Sequence, residues 1–454
     1  MMQAEDNSRL DPKEEELEDK VERESRPEFR VYKRRWLVLA LYLGYVVISA
    51  FQWIQYAIIT DVIETYYDVP SIAVNWTSMI FMLAFVVTIF PATWFYNKVG
   101  LRVALLMAMG GTCVGTWIKV FSVRPDLFWV TMLGQTIVAL CQMYVLSIPV
   151  PLAATWFGPN EVSTACSIGL LGPQIGGALG FFIPVALMPN DKEDIPGIER
   201  GLSYMFFGCS IFATVVFVLQ LIFLQAAPPT PPSYAQASRN NERESLQHYV
   251  TSLWKLMKNV HFVLIFAAYS INLAVFSAIT TFLNQMITPL YEEDAQDDAG
   301  YMGVLITLTG LVGSVLVGFI LDRTRRYKEM NIIVYALSAA ATIAFTFVLR
   351  AGNLPLLYVT TAVFGFTIVG YLPAAFEFAA ELTYPEPEAS SAGLMTFGCQ
   401  ILSVLFTLAY DWLFKPFGDL ASNLFMSGSL LLGTLLTFFV KSDLRRQRAE
   451  HAHQ

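Results

Sequence analysis

Twelve apolar stretches, each close to the length of a membrane-crossing helix and each closed by charge or a turn signal, organise this chain. A helix needs roughly 20 apolar residues to cross a hydrocarbon core about 30 Å thick. Only segments that satisfy their own backbone polar groups can stay there. The stretches fall near 36–60, 74–96, 101–121, 126–148, 164–187 and 202–224, then near 260–287, 301–321, 331–349, 354–376, 391–413 and 421–440. The pattern predicts an all-α membrane protein of twelve transmembrane helices. Composition agrees, since 55% of residues are hydrophobic and 15% charged, against about 25% charged in an ordinary soluble domain. Prolines recur in or at the ends of the stretches (Pro91, Pro149, Pro151, Pro184, Pro373), which membrane helices tolerate and use as bending points.

The charges are unevenly placed, and Lys and Arg near span ends set orientation. Nineteen lie on the side of the N-terminus and six on the other. The first group includes Arg34, Arg35, Lys98, Arg102, Arg323, Arg325, Arg326 and Lys328; the second is Lys119, Arg124, Lys192, Arg200, Arg350 and Lys415. Both termini are therefore expected in the cytoplasm. The outer loops are acidic (Asp61, Glu64, Asp68; Asp191, Glu193, Asp194, Glu199; Glu292 to Asp298), a distribution that would concentrate cationic solutes as readily as it would simply keep the loops wet. The net charge of −8 comes with no basic stripe, so nucleic acid is not an expected partner. The five cysteines (Cys113, Cys141, Cys166, Cys209, Cys399) sit in apolar segments without metal-ligand spacing and read as packing residues. No cofactor or metal is called for.

An internal repeat divides the chain. Pro159, Gly172 and Gln174 recur at an offset of 226 as Pro385, Gly398 and Gln400, which puts a Gly-x-Gln in the fifth and eleventh spans. Basic turns follow the second span (Asn97-Lys98-Val99-Gly100-Leu101-Arg102) and the eighth (Asp322-Arg323-Thr324-Arg325-Arg326). Between the halves lies a linker that opens Pro228-Pro229-Thr230-Pro231-Pro232. It continues with Leu246, Val250, Leu253, Trp254 and Met257 on one helical face, a pattern suited to the membrane surface. Residues 1–35 read as a disordered tail, 36–224 as a six-helix bundle, 225–259 as the linker, 260–441 as a second bundle and 442–454 as a second tail.

Six plus six spans with charged turns after the second and eighth resemble the major facilitator superfamily. In that architecture the solute site lies near the midplane between the halves, and transport is a rocking of one bundle against the other. The turn Gly318-x-x-x-Asp322-Arg323-x-Arg325-Arg326 is similar to the superfamily's signature loop; the first-half copy carries Asn97 where the signature has Asp. Lys98, Arg102, Asp322, Arg323 and Arg326, with Glu377 and Glu381 at the end of the tenth span, are the candidates for a charge clasp between helix ends. Plain topology signals and structural ion pairing are the simpler readings of the same residues.

The apolar interior holds few ionisable groups and a set of aromatics and amides. Trp53 and Tyr56 are three apart in the first span and would share a helical face. Gln142, Gln174, Asn272, Ser277 and Gln400 add neutral polar groups. Ring faces can hold an organic cation without a carboxylate, although any one of these side chains also reads as packing or as glue between helices. The fourth span carries no basic residue, so a proton-driven cycle is not supported and facilitated movement is the simpler expectation.

Longer strings are more specific. Ala50-Phe51-Gln52-Trp53-Ile54-Gln55-Tyr56, Ile89-Phe90-Pro91-Ala92-Thr93-Trp94, Leu127 to Gln135, Trp156-Phe157-Gly158-Pro159, Glu161 to Cys166, Leu283-Asn284-Gln285-Met286, Gly370-Tyr371-Leu372-Pro373 and Lys441 to Arg446 resemble the feline leukemia virus subgroup C receptor-related family, solute carrier family 49. The resemblance runs from about Tyr32 to Arg446 and implies transport of choline and ethanolamine, with haem as the family's other ascribed cargo. It implies an ammonium-binding aromatic at Trp53, site glutamines at Gln142 and Gln400, and a lining methionine at Met82. Two positions depart from the family. Ser277, after Phe276, stands where a second cage aromatic is usual, and Pro173-Gln174 replaces an Asn-Gln pair. Phe276 or Tyr269 would have to supply the missing wall.

The expectation is thus a monomeric plasma-membrane uniporter for choline or ethanolamine; mitochondrial or endoplasmic-reticulum residence would leave the same hydropathy. The alternative is a haem transporter. Against it, His248, His261, His451 and His453 all lie in the linker, at a span start or in the tail. A non-transporting receptor would not need a polar-lined centre, and an enzyme would want clustered His and Asp in the spans. Asn75-Trp76-Thr77 has the form of a glycosylation acceptor but sits too close to the second span to be an expected one.

Overall fold

The computed structural model describes residues 31–158, 161–189, 194–230, 246–291, 295–384, 386 and 388–441. The expected tails over 1–30 and 442–454, the linker segment 231–245 with Arg239 and Arg243, the loop acids Asp191, Glu193, Glu292, Glu293 and Asp294, and the repeat prolines Pro159 and Pro385 lie outside the described residues.

The described elements are helical. The first span is α1 (Arg34–Ile54), a single 3-10 turn (Ala57–Ile59) and α2 (Thr60–Tyr67). The second and third spans form α3 (Ser71–Val120), which reverses direction at Gly100, φ 81°. The fourth is in three pieces, α4 (Phe128–Cys141), α5 (Tyr144–Ser147) and α6 (Pro149–Trp156). The fifth and sixth are α7 (Val162–Leu187) and α8 (Ile195–Phe223). The linker contributes α9 (Leu246–Lys258). The seventh to tenth spans are α10 (Val260–Ile287), α11 (Ala295–Thr324), α12 (Tyr327–Arg350) and α13 (Leu354–Thr383). The last two form α14 (Glu388–Phe439), which turns back at Gly418, φ 77°. Both reversals need a left-handed residue that only glycine adopts without penalty.

Ten helices among the described residues are long and apolar enough to cross a membrane. One of them, Ser390–Phe439, is two spans joined at Gly418, and the segmented fourth span adds another. Twelve spans result.

The two halves pack by the same scheme. In the first half span one packs on span five, two on four and three on six; in the second, seven packs on eleven, eight on ten and nine on twelve. The repeated glycines carry this symmetry. A Cβ at Gly172 would press on Val46 and Leu43 of the first span, and one at Gly398 would enter the Phe266 ring of the seventh. Gly176 and Gly180 continue the stripe on α7, facing Val47, Ala50 and Ile54. Small residues at such a seam let two backbones approach where lipid offers no hydrophobic drive. The halves meet through spans two and eleven, five and eight, and the broken end of span one against span seven.

The linker helix lies on the second half and leaves its Trp254 side outward. Ser252 and Leu256 are buried, with Ser252 donating to Glu386 at 2.5 Å and Lys255 pairing with the same carboxylate at 3.1 Å. Trp254 and Met257 face outward, Trp254 beneath Lys258 at 5.7 Å. The polar contact to Glu386 decides which side docks, and the aromatic side stays free for an interface.

Candidate substrate-binding site

The α-helix of the first span stops at Ile54 and resumes at Thr60. A helix end leaves its last carbonyls without intrahelical donors, and hydrocarbon cannot replace them. Here three of the last four carbonyls are matched. Phe51 takes the Gln55 N–H at 3.1 Å. Gln52 takes the Gln135 Nε2 at 2.6 Å, and Trp53 takes the Ser78 hydroxyl at 2.9 Å. The break is therefore held by side chains from spans two and four.

Trp53 sits on that last turn. Its half-buried ring packs on a small cluster of Phe81, Ala84, Val138 and Ala139. Gln142 is the first residue beyond α4, one turn past Val138, and its Nε2 donates to the Phe81 carbonyl at 2.8 Å. The structure thus brings Trp53 and Gln142 together around Phe81, with Met82 buried beside it in the chain.

Tyr56 goes elsewhere. Its ring is buried 6.3 Å from Phe206 and 5.6 Å from the Lys119 ammonium. Lys119, which hydropathy assigns to the end of the third span, is not at an interface. It is 1% exposed, and its Nζ donates to the side-chain oxygens of Gln52 and of Gln135, the latter at 2.9 Å. Gln55 Nε2 also bonds the Gln52 oxygen, at 2.7 Å. Amide dipoles and a ring face surround the ammonium, which is what a buried charge requires to be tolerated. Sequence reasoning missed this cluster. The signals available were the Gln52-x-x-Gln55 spacing and a lysine closing an apolar run.

The second half supplies its own wall. Phe276 is half-buried and Ser277 buried on α10, where their carbonyls accept from Thr280 and Thr281. Gln400 and Gln174 are half-buried, each two residues beyond its repeat glycine. Tyr269 is buried with its ring 5.0 Å from Phe376. Among the described residues no hydrogen bond or ring contact joins Trp53 to Phe276, Ser277 or Gln400.

Among the clasp candidates, Lys98, Arg102, Arg323, Arg326 and Glu377 are exposed. Lys98 is exposed, 5.1 Å over the Trp94 ring, and Arg102 donates to the Leu221 carbonyl at 3.4 Å. Arg323 and Arg326 are exposed, and the Asp322 side chain lies outside the described residues. Glu377 is exposed and Glu381 buried. Across the halves, Gln285 donates to Asn75 at 2.9 Å, and Phe90 meets Phe397 at 5.5 Å. Asn75 is fully enclosed, so the acceptor motif it begins is not available for glycosylation in this conformation. Two of the far-side cations are in ion pairs, Arg350 with Asp419 at 2.7 Å and Lys415 with Asp411 at 2.8 Å.

The Major Facilitator Superfamily matches residues 41–407. The chain is 44% identical over 420 residues to the choline/ethanolamine transporter flvcr2a of Danio rerio, covering 92% of this chain and 89% of that one. It belongs to the feline leukemia virus subgroup C receptor-related family of the major facilitator superfamily. A second member, the choline/ethanolamine transporter FLVCR1 of Felis catus, is 43% identical over 92% of this chain and 75% of its own length. The fold is also that of a bacterial homologue of the human lysosomal transporter Spinster, solved inward-facing and occupied. The TM-score is 0.67 at 11% identity, over 91% of this chain and 98% of that one. The chain is a multi-pass membrane protein of this transporter superfamily.

Proposed function

We propose that the chain carries choline or ethanolamine across a membrane by alternating access, as a facilitative uniporter. The observation that carries this reading is the position of Trp53, whose ring lies partly open on the last turn of a helix, packed on the cluster of Phe81, whose main-chain carbonyl takes the Gln142 amide. A ring face attracts an ammonium, and a helix's carboxyl end adds partial negative charge. The site residues Trp53, Gln142, Gln174, Gln400, Met82, Phe276 and Ser277 contain no carboxylate, which suits a cargo that must also leave. The relatives named as choline/ethanolamine transporters support the substrate class. The positive-side charge bias supports cytoplasmic termini, and the plasma membrane is the proposed residence of a monomer.

The test is uptake of labelled choline and ethanolamine in cells lacking other carriers, with haem as competitor. A desolvated cation–π contact is worth about 2 kcal/mol, so Trp53→Ala raises the choline KM roughly 30-fold while Trp53→Phe keeps most of the affinity. An unchanged KM in Trp53→Ala sinks the site, and haem uptake without choline uptake sinks the substrate.

A further inference from the structure

We propose that Lys119, Gln135 and Ser78 form a positioning clamp that fixes the Trp53 ring by holding the main chain on which it stands. The proposal rests on the reading of Trp53 as the ammonium platform and deepens it. The carbonyl end of the Trp53 turn is not held by its own helix, because α1 ends one residue later. It is held from outside, by Ser78 on the Trp53 carbonyl and by Gln135 on the preceding carbonyl of Gln52. Gln135 donates also to the Thr77 carbonyl at 3.1 Å, so one amide ties the first span to the second across the fourth.

That amide works only in one orientation, and Lys119 chooses it. The ammonium draws the Gln135 oxygen to itself at 2.9 Å, which turns the NH2 toward the two carbonyls. Flipped, the amide would set its oxygen against two carbonyl oxygens and its NH2 against a cation. The same ammonium takes the Gln52 side-chain oxygen, which Gln55 also bonds. The turn carrying Trp53 is thereby fixed by both its backbone and its neighbouring side chain. Lys119 is buried and sits behind the turn, with Tyr56 over its ammonium, so it acts on cargo through Trp53 and not by contact. Supporting groups of this kind set the precision of a binding residue.

The test compares choline KM and Vmax in reconstituted vesicles, per unit of folded protein, for Gln135→Glu, Lys119→Met, Trp53→Ala and the pairs with Trp53→Ala. Gln135→Glu is the informative change. It keeps the volume and gives Lys119 a full charge partner, which favours folding, but it removes both N–H donors to the carbonyls. The expected result is a KM raised roughly tenfold with little change in Vmax, and no further rise when either change is added to Trp53→Ala, as residues acting through one another do not add. Gln135→Glu with wild-type KM, or with a KM effect that multiplies that of Trp53→Ala, overturns the clamp. If Trp53→Ala itself leaves KM unchanged, the platform fails first; that outcome is separate, because the clamp is judged only against a Trp53 effect.

Discussion

At Gly418 the main chain turns the eleventh span into the twelfth with φ 77°, and the neighbouring Asp419 is fixed by two bonds from Arg350. An alanine forced into the left-handed region costs roughly 1–2 kcal/mol. Gly418→Ala is therefore expected to lower the thermal midpoint of the purified protein. Gly318→Ala is the control, since that glycine is helical and a Cβ there meets open space; it should leave the midpoint unchanged or slightly raised. Trp53 and Gln142 are singled out in the sequence by residue type and position; in the fold the Trp53 ring packs on the Phe81 cluster and Gln142 bonds the Phe81 carbonyl, and their binding role is what we propose. Lys119 was not legible. A hydropathy profile averages over a window, and a lysine at the edge of one looks the same whether it reaches water or two amide groups. The decisive information lies in Gln52 and Gln135, which are distant in sequence and meet it only in the fold.

Among the elements, the fifth span shows how a sequence pattern becomes a seam. Gly172, Gly176 and Gly180 face the first span so closely that a Cβ at Gly176 would collide with the Val47 carbonyl, whereas one at Gly177 would meet nothing. Overpacking of a close seam costs typically about 1–3 kcal/mol. Gly176→Leu should lower stability and surface expression by that order while Gly177→Leu does not, as read by thermal unfolding and surface labelling; equal loss in both would mean that glycine content and not the seam matters. Apolar periods locate such helices, but not their interruptions. The fourth span was expected as one helix over 126–148 and is three pieces reaching Trp156. Pro149 and Pro151 explain the later break, as each lacks the N–H that a continuing helix needs. The break after Ile54 has no proline or glycine to announce it. It exists because Gln135 and Ser78 supply the missing donors from other spans, and so it could be seen only once the spans were packed.

For the molecule as a whole, the twofold plan was readable from the offset of 226 residues, and the fold returns it as matching span pairs in each half. The register of one half against the other was not readable, because contacts such as Gln285 with Asn75 pair residues with no counterpart in the repeat. The neutral lining around Trp53 and Gln142 has a consequence at this scale. A carboxylate in the site would travel with the carrier's alternation and cancel the charge of a bound ammonium. Amides and an indole do not, so under the proposed uniport the loaded carrier moves one more positive charge than the empty carrier. Each elementary charge crossing 100 mV is worth about 2.3 kcal/mol, equivalent to roughly 50-fold accumulation. Choline entry into vesicles carrying a potassium diffusion potential should accelerate when the interior is made negative and slow when it is made positive; indifference to voltage would reveal a charge moving with the cargo. Under the proposed uniport a cell's resting potential is then the engine of uptake, and no coupling ion is needed to concentrate the substrate against a gradient.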